Sequence, residues 1–255
     1  MVVQLTAAQQ RVAGMARLNP TPVADALVLV GAVLLGIAAA SLAVHWLGAL
    51  IVGAIQLLLG GLAVLIPTPG FLSGAYSPTW EITGMLRDLD SDLGVGSTVF
   101  FFSGTAAVLG AFLIAAALGV RTRWDSPRTK PSIATVASII GGVVLLAAFG
   151  LLLTVGDDFA RHLLTALQYE FPLAIGIVAA AVLAGIGGLT LRYSSVGCVL
   201  AGALALVAGL VTFVARTALP SAVTRSFVIE DGLLLVLGAS VLGAAFAASL
   251  RRPAA

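Results

Sequence analysis

The chain is a succession of long apolar runs separated by short polar segments. Within the runs apolar residues neither alternate nor keep to one face, as expected of helices enclosed by hydrocarbon or by other helices. About 20 such residues cross a hydrocarbon core of roughly 30 Å. Seven runs fit that measure: 24–44, 48–66, 99–119, 133–154, 171–191, 197–216 and 231–250. The stretch from Val23 to Ile66 is too long for one helix, so a break is expected at His45-Trp46-Leu47-Gly48. Gly48 would end a helix cheaply there, and Trp46 suits a membrane interface.

The intervening segments have patterns of their own. In residues 1–19, Leu5, Ala8, Val12 and Met15 fall near one face and Pro20 stops the run, which reads as a surface helix or a tail. In 77–90, Ser77 can cap, Pro78 suits the first helical position, and Ile82, Met85, Leu86 and Leu89 share a face. In 157–169, Asp157 can cap, with Phe159, Leu163, Ala166 and Leu167 on one side. The fold expected is therefore all-α: a polytopic seven-transmembrane-helix bundle with short amphipathic surface helices on the outer face. Residues 1–22 form the N-terminal surface helix or tail and 23–255 a single transmembrane bundle.

Composition agrees with the pattern. Of 255 residues, 60% are hydrophobic and only 9% charged, against roughly 25% charged in soluble domains. Too few charges exist to cover a soluble fold of this size. The unalternated runs also exclude a transmembrane barrel, whose strands alternate over roughly ten residues. Net charge is only +2, which gives no reason to expect a nucleic-acid partner.

Basic residues orient the bundle. The 120–132 loop carries Arg121, Arg123, Arg128 and Lys130 against Asp125 alone. Placing it in the cytoplasm puts Arg192, Arg251 and Arg252 on the same side. The inner segments then carry +6 and the outer ones −4. The N-terminus is expected outside and the C-terminus inside, with Arg11 and Arg17 standing against that assignment. Bias toward Arg over Lys and richness in Ala, Gly and Val point to the plasma membrane of a high-GC prokaryote.

Small residues recur every four positions. The third run holds Ser103, Ala107, Ala111, Ala115 and Gly119; the fifth holds Gly176, Ala180, Ala184 and Gly188. The first has Ala24, Val28, Ala32, Gly36 and Ala40, and the last has Ala239, Gly243 and Ala247. A helix edge without bulk lets a neighbouring backbone come close, where dispersion and Cα–H···O contacts act without a hydrophobic drive. These four helices, all running inward, are the expected centre of the bundle. A repeat of hairpins, 23–97, 98–170 and 171–230, is visible in composition alone.

Chemistry is sparse. No Asp, Glu, Lys or Arg falls at a predicted midplane, which argues against a carboxylate relay. Seven spans invite a test for retinal, but the last run has no lysine for a Schiff base, so covalent retinal is excluded. The two histidines, His45 and His162, fall on opposite faces and make a bis-histidine site an unfavourable reading. In Asp88-Leu89-Asp90-Ser91-Asp92 the carboxylates alternate as in a calcium loop, but Leu93 replaces the glycine and Val99 the bidentate glutamate. Cys198 lies in a run and reads as a small apolar filler. Gln56, mid-span, is expected to make an interhelical hydrogen bond worth about 0.6–2 kcal/mol.

No cofactor and no catalytic constellation is therefore expected. The function expected is a non-catalytic integral membrane subunit or scaffold, binding partner transmembrane helices or lipid within a larger complex. The alternative is a carrier or export factor for an apolar or lipid-like substrate. The lipid bilayer and other membrane proteins are the partners either reading implies.

Overall fold

The first long apolar run divides at His45. The computed structural model describes residues 22–66, 78–89, 91–124, 130–163, 169–215 and 232–250. Helix α1 (Pro22–Ala40) tightens into a 3-10 turn at Ser41–Ala43, and α2 (Trp46–Leu65) begins after an extended His45. The His45 ring accepts a hydrogen bond from the Leu47 amide at 3.2 Å, so it caps α2. The expected break is thus real, but Gly48 does not end a helix. It lies in the first turn of α2, and the side-chain cap decides where the chain restarts.

Two short helices follow. α3 (Pro78–Leu89) starts on its proline, and α4 (Ser91–Phe102) returns beside it. Gly94 fits against Arg87, where a Cβ would overlap the Arg87 backbone. α5 (Thr105–Trp124) and α6 (Pro131–Leu151) come next, and α6 runs on through a π-helical Leu152–Gly156 into a helical Asp157–Arg161. α7 (Phe171–Leu189), α8 (Val196–Ala215) and α9 (Leu233–Leu250) complete the described chain, which contains no strand.

Six stretches are long and apolar enough to cross a membrane: Trp46–Leu65, Thr105–Thr122, Pro131–Arg161, Phe171–Arg192, Val196–Val214 and Leu233–Leu250. The apolar part of α1, Leu29–Ala40, is shorter. Most expected boundaries shift by a few residues. The exception is 99–119, which is two helices interrupted at Ser103-Gly104, so the long helix starts at Thr105. The proposed helix over 157–169 is also revised. Residues 157–161 continue α6, and Asp157 does not cap, because helical backbone already precedes it at Gly156. The expected helix over 1–19 and the latter part of 157–169 lie outside the described residues.

The helices meet through glycine, and the meeting points fix their directions. A Cβ on Gly53 of α2 would stand 3.0 Å from the Gly110 carbonyl oxygen of α5, and one on Gly60 would strike the Ala107 amide. Rising numbers on α2 therefore meet falling numbers on α5, so the two are antiparallel. On α7, Gly188 would place a Cβ 2.7 Å from the Phe112 carbonyl oxygen, and Gly119 answers 3.2 Å from the Gly188 carbonyl oxygen. Gly185 lies against Ala111, so α5 and α7 are parallel. α1 and α9 are parallel too: Gly36 meets Ala239, and Gly243 meets Gly36 and Ala40. α6 pairs antiparallel with α7 through Gly141 on Thr190 and Gly187 on Leu145. α8 pairs antiparallel with α9 through Gly202 on Leu242 and Gly209 on Leu235.

These contacts fix the directions of α2, α5, α6 and α7 relative to one another, and of α1, α8 and α9 relative to one another. Among the six long helices α5 and α9 are the most enclosed, so the centre is narrower than the four inward-running helices expected. The main core joins Phe112, Leu145, Leu152, Leu191 and Leu237. A second cluster closes one end with Val64, Phe102, Phe159, Leu163 and Ile177. The α3–α4 pair reaches that cluster through Trp80, whose ring centroid is 4.7 Å from that of Phe102. The segments that would answer it in the compositional repeat, 164–168 and 216–231, lie outside the described residues.

Substituting Gly110→Ala places a methyl against the Leu57 amide and the Gly53 carbonyl and is expected to lower stability by about 1–3 kcal/mol. Gly61→Ala meets nothing within 4 Å and should be neutral or gain up to about 1 kcal/mol from helix propensity. Thermal unfolding in detergent, followed by circular dichroism, compares the two. Equal effects would show that α2 and α5 are not in contact along this face.

Candidate functional site

The clearest local irregularity is the break between α4 and α5. Gly104 has φ +80°, a left-handed conformation that costs other residues about 1–2 kcal/mol. Its missing side chain also makes room for Ile177, which a Cβ would overlap. Ser103 and Thr105 flank it, fully buried, with their hydroxyl oxygens 2.8 Å apart. The Ser103 hydroxyl also accepts from the Thr105 amide at 3.4 Å, which satisfies part of the new helix start.

The π-helical turn of α6 packs against this break. Gly156 lies on the Ser103 carbonyl so closely that any side chain there would collide with it. Single π-turns inside helices are frequent at functional sites. Immediately beyond it, Asp157 is buried, and one carboxylate oxygen accepts from the Arg161 guanidinium at 2.6 Å. The Asp157 ion pair thus joins residues one turn apart on the same helix. His162 packs nearby: its Nδ1 lies 2.8 Å from the Asp158 carbonyl oxygen and its Nε2 3.8 Å from Glu170. This imidazole is directed to Asp158 and Glu170, and the Ser103 hydroxyl is directed to Thr105. The arrangement offers hydrogen bonds and one internal ion pair.

Of the small-residue positions, Ser103 stands in the break itself and not on a helix edge. Ala107 faces Gly60 of α2, whereas Ala111, Ala115 and Gly119 line the side toward Gly185 and Gly188 of α7. Ala180 and Ala184 are buried, and Gly176 receives Val155 of the π-turn. Ala239 and Gly243 meet Gly36 and Ala40, and Ala247 is fully buried one turn further on. These residues are thus brought together in pairs of helices within the chain.

Gln56 is the mid-span amide expected to bond across helices. Its Oε1 is buried and has no hydrogen-bond partner in the structure. It lies on α2 between Gly53 and Gly60, which meet Gly110 and Ala106-Ala107 of α5. The small residues that admit the close approach supply no donor side chain to meet the amide.

The opposite end is basic and aromatic. Arg121 places its guanidinium 4.5 Å from the Trp46 ring centroid, and Arg192 lies 5.5 Å from that of Tyr193. His45 and His162 are at opposite ends, as their positions in the chain imply. Cys198 is buried, with its thiol 3.6 Å from the Gly187 carbonyl oxygen. No cluster of three potential metal ligands occurs among the described residues.

Sequence reasoning missed the break and the π-turn. Ser103-Gly104-Thr105, three small polar or flexible residues within an apolar run, was the available signal for the first. The π-turn has no comparable signature in Leu152–Gly156. Comparison with family models, with characterised proteins and with solved structures finds no match, so the chemistry has to be read from these side chains.

Gln56→Leu removes an unpartnered buried oxygen at nearly constant length and is expected to stabilise the protein by about 1 kcal/mol. Chemical or thermal unfolding of the two proteins in the same detergent measures it. A loss of similar size would mean that Gln56 holds a partner in the folded protein.

Proposed function

We propose that the chain is a seven-helix protein of a prokaryotic plasma membrane, acting as a non-catalytic subunit or scaffold that holds partner transmembrane helices or lipid within a larger complex. α1 supplies the seventh span: its 19 residues extend about 28 Å at 1.5 Å per residue, close to the thickness of the hydrocarbon core. The reading is carried by where polarity lies. The ionisable side chains described stand toward the two ends, and between them the helices meet backbone to backbone through glycine and alanine. Such an interior lacks the charges that ion or proton movement requires. Outward, α1, α2 and α8 present branched side chains such as Val33, Ile37, Ile51, Leu204 and Val211.

A second reading, a carrier for an apolar or lipid-like substrate, is favoured by the α4–α5 break against the π-turn. Discontinuous helices line substrate sites in many transporters, and the unpartnered Gln56 oxygen is a vacant acceptor.

Gentle native extraction of the tagged chain, with size determination and mass spectrometry, separates the readings. Partner proteins in fixed ratio are expected for the scaffold. A lone chain that retains one lipid class and moves it between vesicle leaflets would overturn the scaffold in favour of the carrier.

The N-terminus is assigned outside and the C-terminus to the cytoplasm from the loop charges. A reporter active only in the cytoplasm should work at the C-terminus and fail at the N-terminus. Activity at both ends would mean an even number of spans and remove α1 from the membrane.

A further inference from the structure

Where α2 begins and α5 finishes, the Arg121 guanidinium has no carboxylate partner among the described residues. Arg121 is exposed and lies over the Trp46 ring at 4.5 Å. The Asp157–Arg161 ion pair and the His162–Glu170 contact belong to the other end. A guanidinium held on an aromatic face keeps its N–H edge available, and that edge matches two oxygens of a phosphate. Beside it, His45 accepts the Leu47 amide at Nδ1, which leaves Nε2 to carry the ring proton as a donor. The His45 ring is exposed and stacked with Trp46, their centroids 6.1 Å apart.

An apolar strip leads away from these donors. On α5, an otherwise enclosed helix, Ile114, Leu118 and Arg121 fall on one face at four- and three-residue spacing; Leu118 is exposed and Ile114 partly so. On α2, Leu47 and Ile51 are exposed at the same end. A charged head at Arg121 with its chains along Leu118 and Ile114 has the polarity of a phospholipid, one end ionic and the rest hydrocarbon.

We infer that Arg121, seated on Trp46 and flanked by His45, holds the phosphate of one anionic phospholipid, whose acyl chains lie along Leu118 and Ile114. The inference rests on the reading of this end as a membrane interface. Charge complementarity selects an anionic lipid over a zwitterionic one: Lys130 and Arg192, exposed among the described residues of this end, are also cationic, and the 120–132 loop carries four basic residues against Asp125.

The test places the full chain, with W80F and W124F leaving Trp46 as the sole tryptophan, in nanodiscs containing brominated phosphatidylglycerol or brominated phosphatidylcholine. Phosphatidylglycerol should quench Trp46 about fivefold more effectively at equal mole fraction, and R121Q should bring the two lipids to parity. Equal quenching in the parent protein, or unchanged selectivity in R121Q, overturns the site while leaving the membrane placement intact. Quenching by neither lipid overturns the placement of this end as well. Displacement by soluble glycerol phosphate as effective as by lipid would show a phosphate site and overturn the lipid assignment. If the double variant does not fold, native mass spectrometry of the parent chain and R121Q reads the same inference: retained phosphatidylglycerol should fall about fivefold in R121Q, and equal retention overturns it.

Discussion

Close backbone contact through glycine is the constraint on which the rest of this structure depends. Between helices in hydrocarbon there is no hydrophobic drive, because lipid tails are as apolar as leucine. Association has to come from dispersion at short range and from weak Cα–H···O contacts, both of which vanish if side chains hold the helices apart. Gly60 against Ala107, Gly188 against Phe112 and Gly243 against Gly36 are places where one methyl group would separate two helices. The direction of each helix follows from the same contacts, since they pair residues in rising or falling order.

That constraint also accounts for the distribution of polar groups. A helix edge of glycine and alanine offers no side-chain donors, so a polar residue facing it has no partner. Gln56 shows the consequence: its oxygen is buried without a partner on a helix whose Gly53 and Gly60 pack on Gly110 and Ala107. Hydroxyls avoid the problem by bonding backward to their own helix, as Ser240 does to the Val236 carbonyl at 2.8 Å and Thr212 to that of Ala208 at 2.8 Å. Charges are left for the ends, where Arg121 finds Trp46 and Asp157 finds Arg161.

Much of the helical content was legible because apolar length is a direct consequence of bilayer thickness, and the starts of α6, α7, α8 and α9 fall within two residues of their expected positions. What was not legible depends on tertiary fit. Ser103 continues a four-residue spacing of small residues, and spacing alone carries the helix through it. The chain instead turns at Gly104, where a positive φ is available and Ile177 occupies the space. α4 is not among the expected helices, and its Gly94 and Gly96 weaken a helix in isolation. In the fold Gly94 is what lets α4 approach Arg87 of α3.

Asp157 illustrates the same limit at the candidate site. An aspartate ahead of an amphipathic stretch is an ordinary N-cap signal, and Gly156 before it strengthens the impression of a boundary. The π-turn removes the boundary: by widening the helix over Leu152–Gly156 it allows α6 to continue while Gly156 fits the Ser103 carbonyl. Asp157 then enters a helix interior, where its buried carboxylate needs a partner, and Arg161 one turn later provides it. Had α6 remained α-helical, residues after Leu151 would rotate relative to α5, and the glycine would no longer face the break. The break in one helix and the bulge in the other are therefore parts of one fit. There two irregular backbones are pressed together, the Ser103 carbonyl of one against Gly156 of the other.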